Sequence, residues 1–170
     1  TDFTLSGLPW IIAGAALRGQ RTNIRSLRLK FQYNFHSPVD NYLQYSPLLL
    51  TTGLKAAGVE GRSSWGRYAV SAAASYAVMA LLVNSIKYAA REQRPDGSTR
   101  NSFPSGHTAT AFAAATILHK EYGLTRSPWY SIGGYMMATA TGCMRVLNNR
   151  HWVSDTFAGA GIGILSAELG

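Results

Sequence analysis

The stretch YAVSAAASYAVMALLVNSI, residues 68–86, carries no formal charge and approaches the ~20 residues that an α-helix needs to cross the hydrocarbon core of a bilayer. It lacks the period-2 alternation of a half-exposed strand, and its Ala, Leu and Met content favours helix. Outward from it, shorter or more polar uncharged stretches recur at 3–17, 41–54, 101–118, 127–144 and 156–167. The expectation is an all-α chain of six helical segments. No Pro/Gly/Ser-rich linker and no internal repeat interrupts it, so residues 1–170 read as one domain.

Composition points the same way. Apolar residues make up 46% and charged residues 14%, against roughly 25% charged in soluble proteins. That balance leans toward a membrane. In FAGAGIGIL, 157–165, Gly159 and Gly163 stand four apart and would let helices approach closely. Trp65, Trp129 and Trp152 fall at segment edges, where a ring either anchors at a membrane interface or belongs to an ordinary core. The net charge of +8, from 16 Lys and Arg against 8 acids, suggests partners bearing phosphate or carboxylate. A single cysteine, Cys143, excludes an internal disulfide framework and any Cys-based zinc site. The basic, aromatic segment 18–42 fits either a stretch lying on anionic lipid or a solvated connector, the connector being the simpler reading.

Three places carry chemistry. In KYAAREQRP, 87–95, a continuing helix would put Lys87, Arg91 and Arg94 on one face, while Pro95 and the following PDG turn the chain at Arg94. A guanidinium held at such a bend can present its planar fork to an oxyanion. In FPSGH, 103–107, a helix start with Pro104, Ser105 and Gly106 leaves backbone N–H groups open to a phosphate, with the Ser105 hydroxyl as a further donor and His107 beside it. In RVLNNRHWVSD, 145–155, Arg145 adds another fork, and His151 and Asp155 are spaced i, i+4. A carboxylate on one imidazole nitrogen fixes the tautomer and leaves the other nitrogen free as a nucleophile. Each cluster alone also has a plain reading: snorkelling cations, a turn-bonded histidine, a surface ion pair. Alternating helix directions, however, bring all three to one side of a bundle.

With Lys87, Arg94 and Pro95 as K-x6-R-P, residues 104–107 as P-S-G-H, and Arg145, His151 and Asp155 as R-x5-H-x3-D, the chain resembles the type 2 phosphatidic acid phosphatase superfamily. The resemblance implies a six-helix membrane-embedded bundle with its active site at the helix ends on one side. It also implies a metal-independent phosphatase with no cofactor: His151 attacks phosphorus to give a phosphohistidine, Asp155 orients it, and His107 protonates the leaving oxygen. Lys87, Arg94, Ser105, Gly106 and Arg145 would hold the phosphate. His107 must then be protonated and His151 neutral, which asks for different surroundings around the two rings. One departure is Met144, where the family usually has serine; it removes one hydrogen bond to phosphate.

The implied partner is a phosphorylated lipid in the membrane, with no obligate protein partner. Lipid A, undecaprenyl diphosphate, phosphatidylglycerol phosphate and phosphatidic acid are candidates, with the local wording of the motifs leaning toward lipid A. Segment 18–42 would gather anionic headgroups. Location follows as the bacterial inner membrane with the site facing the periplasm, although 11 of the 16 Lys and Arg fall on the site's side, a count that the positive-inside rule would place in the cytoplasm. Vanadate haloperoxidases share these motifs but are longer and soluble as a rule. A zinc site built from His107, His151 and Asp155 sits poorly among so many cations. Nucleic-acid binding is not expected, since no reader motif accompanies the charge.

Overall fold

The computed structural model describes residues 7–31 and 34–170; residues 3–6 of the first expected segment and the Arg21 side chain lie outside that description. Among the described residues there are eight α-helices and no strand: α1 Leu8–Ala16, α2 Arg21–Phe31, α3 Val39–Leu43, α4 Ser46–Ala56, α5 Trp65–Ala90, α6 Gly106–Leu118, α7 Pro128–Leu147 and α8 Val153–Leu169. The all-α expectation holds, whereas the count of six does not. Six of the helices answer to the uncharged stretches. Of the two further ones, α3 straddles the end of 18–42 and α2 lies within it, the segment read as a connector.

That segment is docked. Arg28 is buried on α2 and donates from Nε and Nη2 to the Leu147 carbonyl at 3.0 and 2.8 Å, which places a cation at the C-terminal end of α7. Asn148 and Ser37 exchange two hydrogen bonds of 2.8 Å. A headgroup-gathering role for Arg28 is therefore corrected: its guanidinium is spent inside the fold.

The centre of the bundle is α6 against α8. Both helices are almost wholly buried, and both are built from Ala, Gly and Thr. Gly159 and Gly163 are the reason that they fit. A Cβ on Gly159 would stand 2.5 Å from the Ser105 carbonyl oxygen, and one on Gly163 would stand 2.3 Å from the Ala109 carbonyl oxygen. On its other side α8 takes α1, where Gly7 and Gly161 meet backbone to backbone. Met79 and Val83 of α5 close a core cluster with Ala109, Ala113 and Ile162.

Outside this centre the pattern inverts. Among the described residues α5 alone is long and apolar enough to cross a membrane by itself, and only 17% of its most apolar window is buried. Val70 and Leu81 are about 70% exposed, and Leu49, Trp129 and Met136 are similarly bare. Such an apolar exterior suits lipid rather than water. Trp65 and Trp129 are exposed as an interface role requires. Trp152 instead lies under the Arg25 guanidinium and donates to the Gln93 carbonyl at 2.9 Å, so it fastens two loops together.

Gly159→Ala should lower stability by ~1–3 kcal/mol, the usual cost of overpacking, because the obstructing atom is backbone. Gly133→Ala, which meets nothing within 4 Å, is the control. Thermal unfolding in detergent compares them, and equal midpoints would contradict the close α6–α8 contact.

Candidate active site

The site forms where the ends of α5 and α7 meet the starts of α6 and α8. α5 stops at Ala90 because Arg91 adopts a left-handed conformation, φ 45°. The three-cation helix face expected for Lys87, Arg91 and Arg94 is thus corrected: Arg91 turns outward and lies over the Tyr88 ring. Arg94 sits instead at the expected bend, where Gly97 N–H donates to its carbonyl at 2.9 Å and Gly97 takes a φ of 74° that favours glycine. Lys87 Nζ reaches the Asn101 carbonyl at 2.5 Å, and Arg94 Nε reaches the Asn101 side-chain oxygen at 2.9 Å. One residue so draws both cations toward the start of α6.

Ser105 is the N-cap of α6. Its Oγ accepts from the Thr108 N–H at 3.3 Å and from the Thr108 hydroxyl at 2.9 Å, and the residue is fully buried. Pro104 precedes the cap rather than opening the helix. Ser105 N–H donates to the Asp155 carbonyl at 3.0 Å, which ties the start of α6 to the first turn of α8. His107, on the first turn of α6, places Nε2 2.9 Å from Asn41 Oδ1.

His151 and Asp155 are both buried, at 2% and 0% exposure. His151 precedes α8, and its Nδ1 donates to the Ser102 carbonyl at 2.8 Å, while Asp155 Oδ2 stands 3.5 Å from the same nitrogen. A carbonyl only accepts, so the proton is on Nδ1 and the lone pair on Nε2. Asp155 Oδ2 in turn accepts from the Trp152 N–H at 2.8 Å and from the Ser102 hydroxyl. Ser102 thus does half of the orienting that the sequence assigns to Asp155. Arg145 is buried and paired with Asp40 at 2.9 Å, and its Nε has no protein partner among the described residues.

Burial pushes both imidazoles down to about 4. For His107 the next cause is Arg145, opposed by Asp40, with His151 and Arg94 adding to the depression. For His151 the Asp155 carboxylate opposes burial, while Arg145 and Lys87 act with it. Both rings therefore share a lowered affinity for the proton, with burial as the leading cause.

The structure therefore brings Lys87, Arg94, Ser105, Gly106, His107, Arg145, His151 and Asp155 to one end of the bundle. It adds four residues that the motifs miss: Asp40, Asn41, Asn101 and Ser102. Asp40 had one signal, as the lone acid in a segment with five Lys and Arg. Ser102 acts largely through its backbone carbonyl, which no side-chain pattern reports.

Two histidines, a buried carboxylate and three cations thus meet at one end of a helical bundle. The PAP2 superfamily profile matches residues 67–169, and this chain belongs to that superfamily. It is 49% identical over 164 residues to the lipid A 1-phosphatase of Porphyromonas gingivalis, a match that takes in 96% of this chain and 37% of that protein. The chain thus spans little more than a third of that relative's length. Its fold is like that of a transmembrane PAP2-type phosphatidylglycerolphosphate phosphatase from Bacillus subtilis, with TM-score 0.70 and 22% identity over 99% of this chain and 94% of that one. Aquifex aeolicus LpxE is also similar, with TM-score 0.63 and 22% identity over 85% of this chain and 92% of that one.

Removing one member of the buried Arg145–Asp40 pair leaves a charge uncompensated. Arg145→Met should cost ~3–5 kcal/mol, and Asp40→Asn in the same background should recover part of it. A double-mutant cycle on unfolding midpoints reads this, and strictly additive losses would contradict the pair.

Proposed function

We propose that this chain hydrolyses a phosphate ester of a membrane lipid, with lipid A phosphate first among the candidates. The observation that carries the proposal is the free Nε2 of His151, held by Ser102 and Asp155 among Lys87, Arg94 and Arg145. The lipid A 1-phosphatase relative supports the choice of substrate. Undecaprenyl diphosphate, phosphatidylglycerol phosphate and phosphatidic acid are the competing substrates.

In the proposed reaction His151 Nε2 attacks phosphorus in line, an N–P bond forms and the P–O bond to the lipid breaks. His107 delivers a proton to the departing oxygen. Water then attacks the phosphohistidine, giving its proton to His107, and the N–P bond breaks to release phosphate. The three cations neutralise the equatorial oxygens, where most of the charge of phosphoryl transfer sits. Ser105 Oγ accepts at the cap and keeps its own O–H to donate, so it and the first-turn N–H groups of Gly106 and His107 are the donors for a phosphate oxygen. Protein cations stand where other phosphatases place a metal.

A lipid substrate suits the surroundings. An apolar groove of about 660 Å³ begins at Thr108, Gly142 and Thr156, one residue from His107 and one from Asp155, and runs along Phe112, Phe157 and Ile164. Its volume and apolar lining suit an acyl chain of the substrate. We further place the chain in a bacterial inner membrane with the site toward the periplasm. Part of the excess of cations on that side serves the fold, through Arg18 to Glu92, Arg28 to Leu147, Arg145 to Asp40 and Arg150 to Asp96. A cysteine placed in 96–100 of intact cells reads the side: labelling by an impermeant reagent fits, and protection overturns it.

Detergent-purified protein should release phosphate from lipid A in the presence of a chelator, and His151→Ala should lose at least ~10³-fold. Activity that needs added zinc, or survives in His151→Ala, would overturn the proposal. The pH profile adds a second check. Burial and the Arg145 guanidinium lower the hold of His107 on a proton, and a phosphate dianion beside it would offset Arg145 and Arg94 and raise that hold. The alkaline limb of kcat should therefore lie at higher pH than that of kcat/KM. A kcat that is flat between about pH 5 and pH 9 would remove His107 from the acid role.

A further inference from the structure

We propose that Asn41 is a positioning residue of this site, the partner that fixes the His107 ring for proton transfer. The inference rests on the phosphatase reading above and adds a residue that lies outside the three signature motifs.

The geometry is a strap. α3 has five residues, too few to be stable as an isolated helix, so its position is set by what it grips. Asp40 is 1% exposed and holds Arg145 Nη1 at 2.9 Å. Just before the helix, Ser37 is locked to Asn148 by the two reciprocal hydrogen bonds. Just after it, Gln44 is buried and donates from Nε2 to the Asn41 carbonyl at 2.9 Å. Asn41, between these anchors, has one side-chain contact of consequence: Oδ1 on His107 Nε2 at 2.9 Å.

An amide oxygen accepts and does not donate, so with Oδ1 facing the ring the Nε2 proton is held in both the neutral ring and the imidazolium. Nδ1 has no protein partner among the described residues. It is the nitrogen left to give its proton to the leaving oxygen and to take one from water. Asn41 thereby does for His107 what the Ser102 carbonyl does for His151: it fixes one nitrogen and aims the other. An uncharged partner has a further consequence. A carboxylate at this position would favour the imidazolium against Arg145 on α7, Arg94 in the α5–α6 loop and His151 in the α7–α8 turn, with Asp40 on α3 already acting in its favour. The amide keeps the ring orientated without adding that bias, so that the incoming phosphate decides when His107 is charged.

Asn41 is exposed, so its side chain can be changed with little effect on the core. Full pH–rate profiles of wild type, Asn41→Leu and Asn41→Asp on lipid A phosphate test the role. Asn41→Leu should lower kcat by about 10-fold or more with KM within about 2-fold, as expected when a general acid loses its aim. Asn41→Asp should retain most of kcat and move the alkaline limb up by about one pH unit. The His107 ring titration of the same proteins without substrate, followed by NMR in detergent, should shift the same way. A loss confined to KM in Asn41→Leu, or an unmoved limb and ring titration in Asn41→Asp, would overturn the role. An inactive wild type would overturn the phosphatase reading and this role with it, whereas an active wild type matched by both variants would overturn this role alone.

Discussion

The site depends on one close contact, that of Gly159 on α8 with the Ser105 carbonyl at the start of α6. With no side chain at Gly159, the two backbones approach until the Ser105 N–H reaches the Asp155 carbonyl at 3.0 Å. Two helix starts, which ordinary side chains would hold some 8–10 Å apart, are thereby brought together with their histidines. Gly163 repeats the contact one turn further along. The contact is made by backbone and cannot be rearranged by a rotamer change, so the separation of His107 and His151 is a property of the fold.

Around that contact the chain concentrates positive charge and then disposes of it selectively. Arg28 is committed to backbone carbonyls, chiefly that of Leu147, while Arg145 is anchored by Asp40 yet keeps Nε without a protein partner among the described residues. Lys87 and Arg94 are gathered by Asn101, a neutral residue whose two oxygens orient both cations without cancelling either. The difference matters for phosphoryl transfer, where an ion-paired cation has less to offer a phosphate than one held by an amide. Asp40 is the exception, the one acid among the described residues that bonds a proposed phosphate ligand from outside the motifs, and it comes from the segment read as a connector.

Much of this was legible beforehand. The six uncharged stretches, the Gly159/Gly163 pair, the bend at Arg94 and the three signatures are local patterns, and the structure keeps each of them. What escaped was tertiary. α2 and α3 carry no apolar run, and α3 is held by Asp40, Ser37 and Asn148 rather than by its own propensity. Arg91 breaks the predicted cationic face because a left-handed residue ends α5, and a backbone reversal of that kind leaves no periodic trace. Asn41 and Ser102 reach the histidines from distant or backbone positions. The mechanism that the resemblance implies asks for different surroundings around the two rings, whereas both share a depressed affinity for protons, because burial outweighs the neighbours that distinguish them.

The central claim is that His151 Nε2 becomes bonded to phosphorus. Trapping tests it most directly: radiolabelled lipid phosphate is mixed with the protein, quenched in alkali within a turnover, and the protein is separated and digested. The account predicts label on the peptide holding His151, stable in alkali, lost in acid and absent from His151→Ala. Turnover with no protein-bound label, or label that persists in His151→Ala, would contradict it.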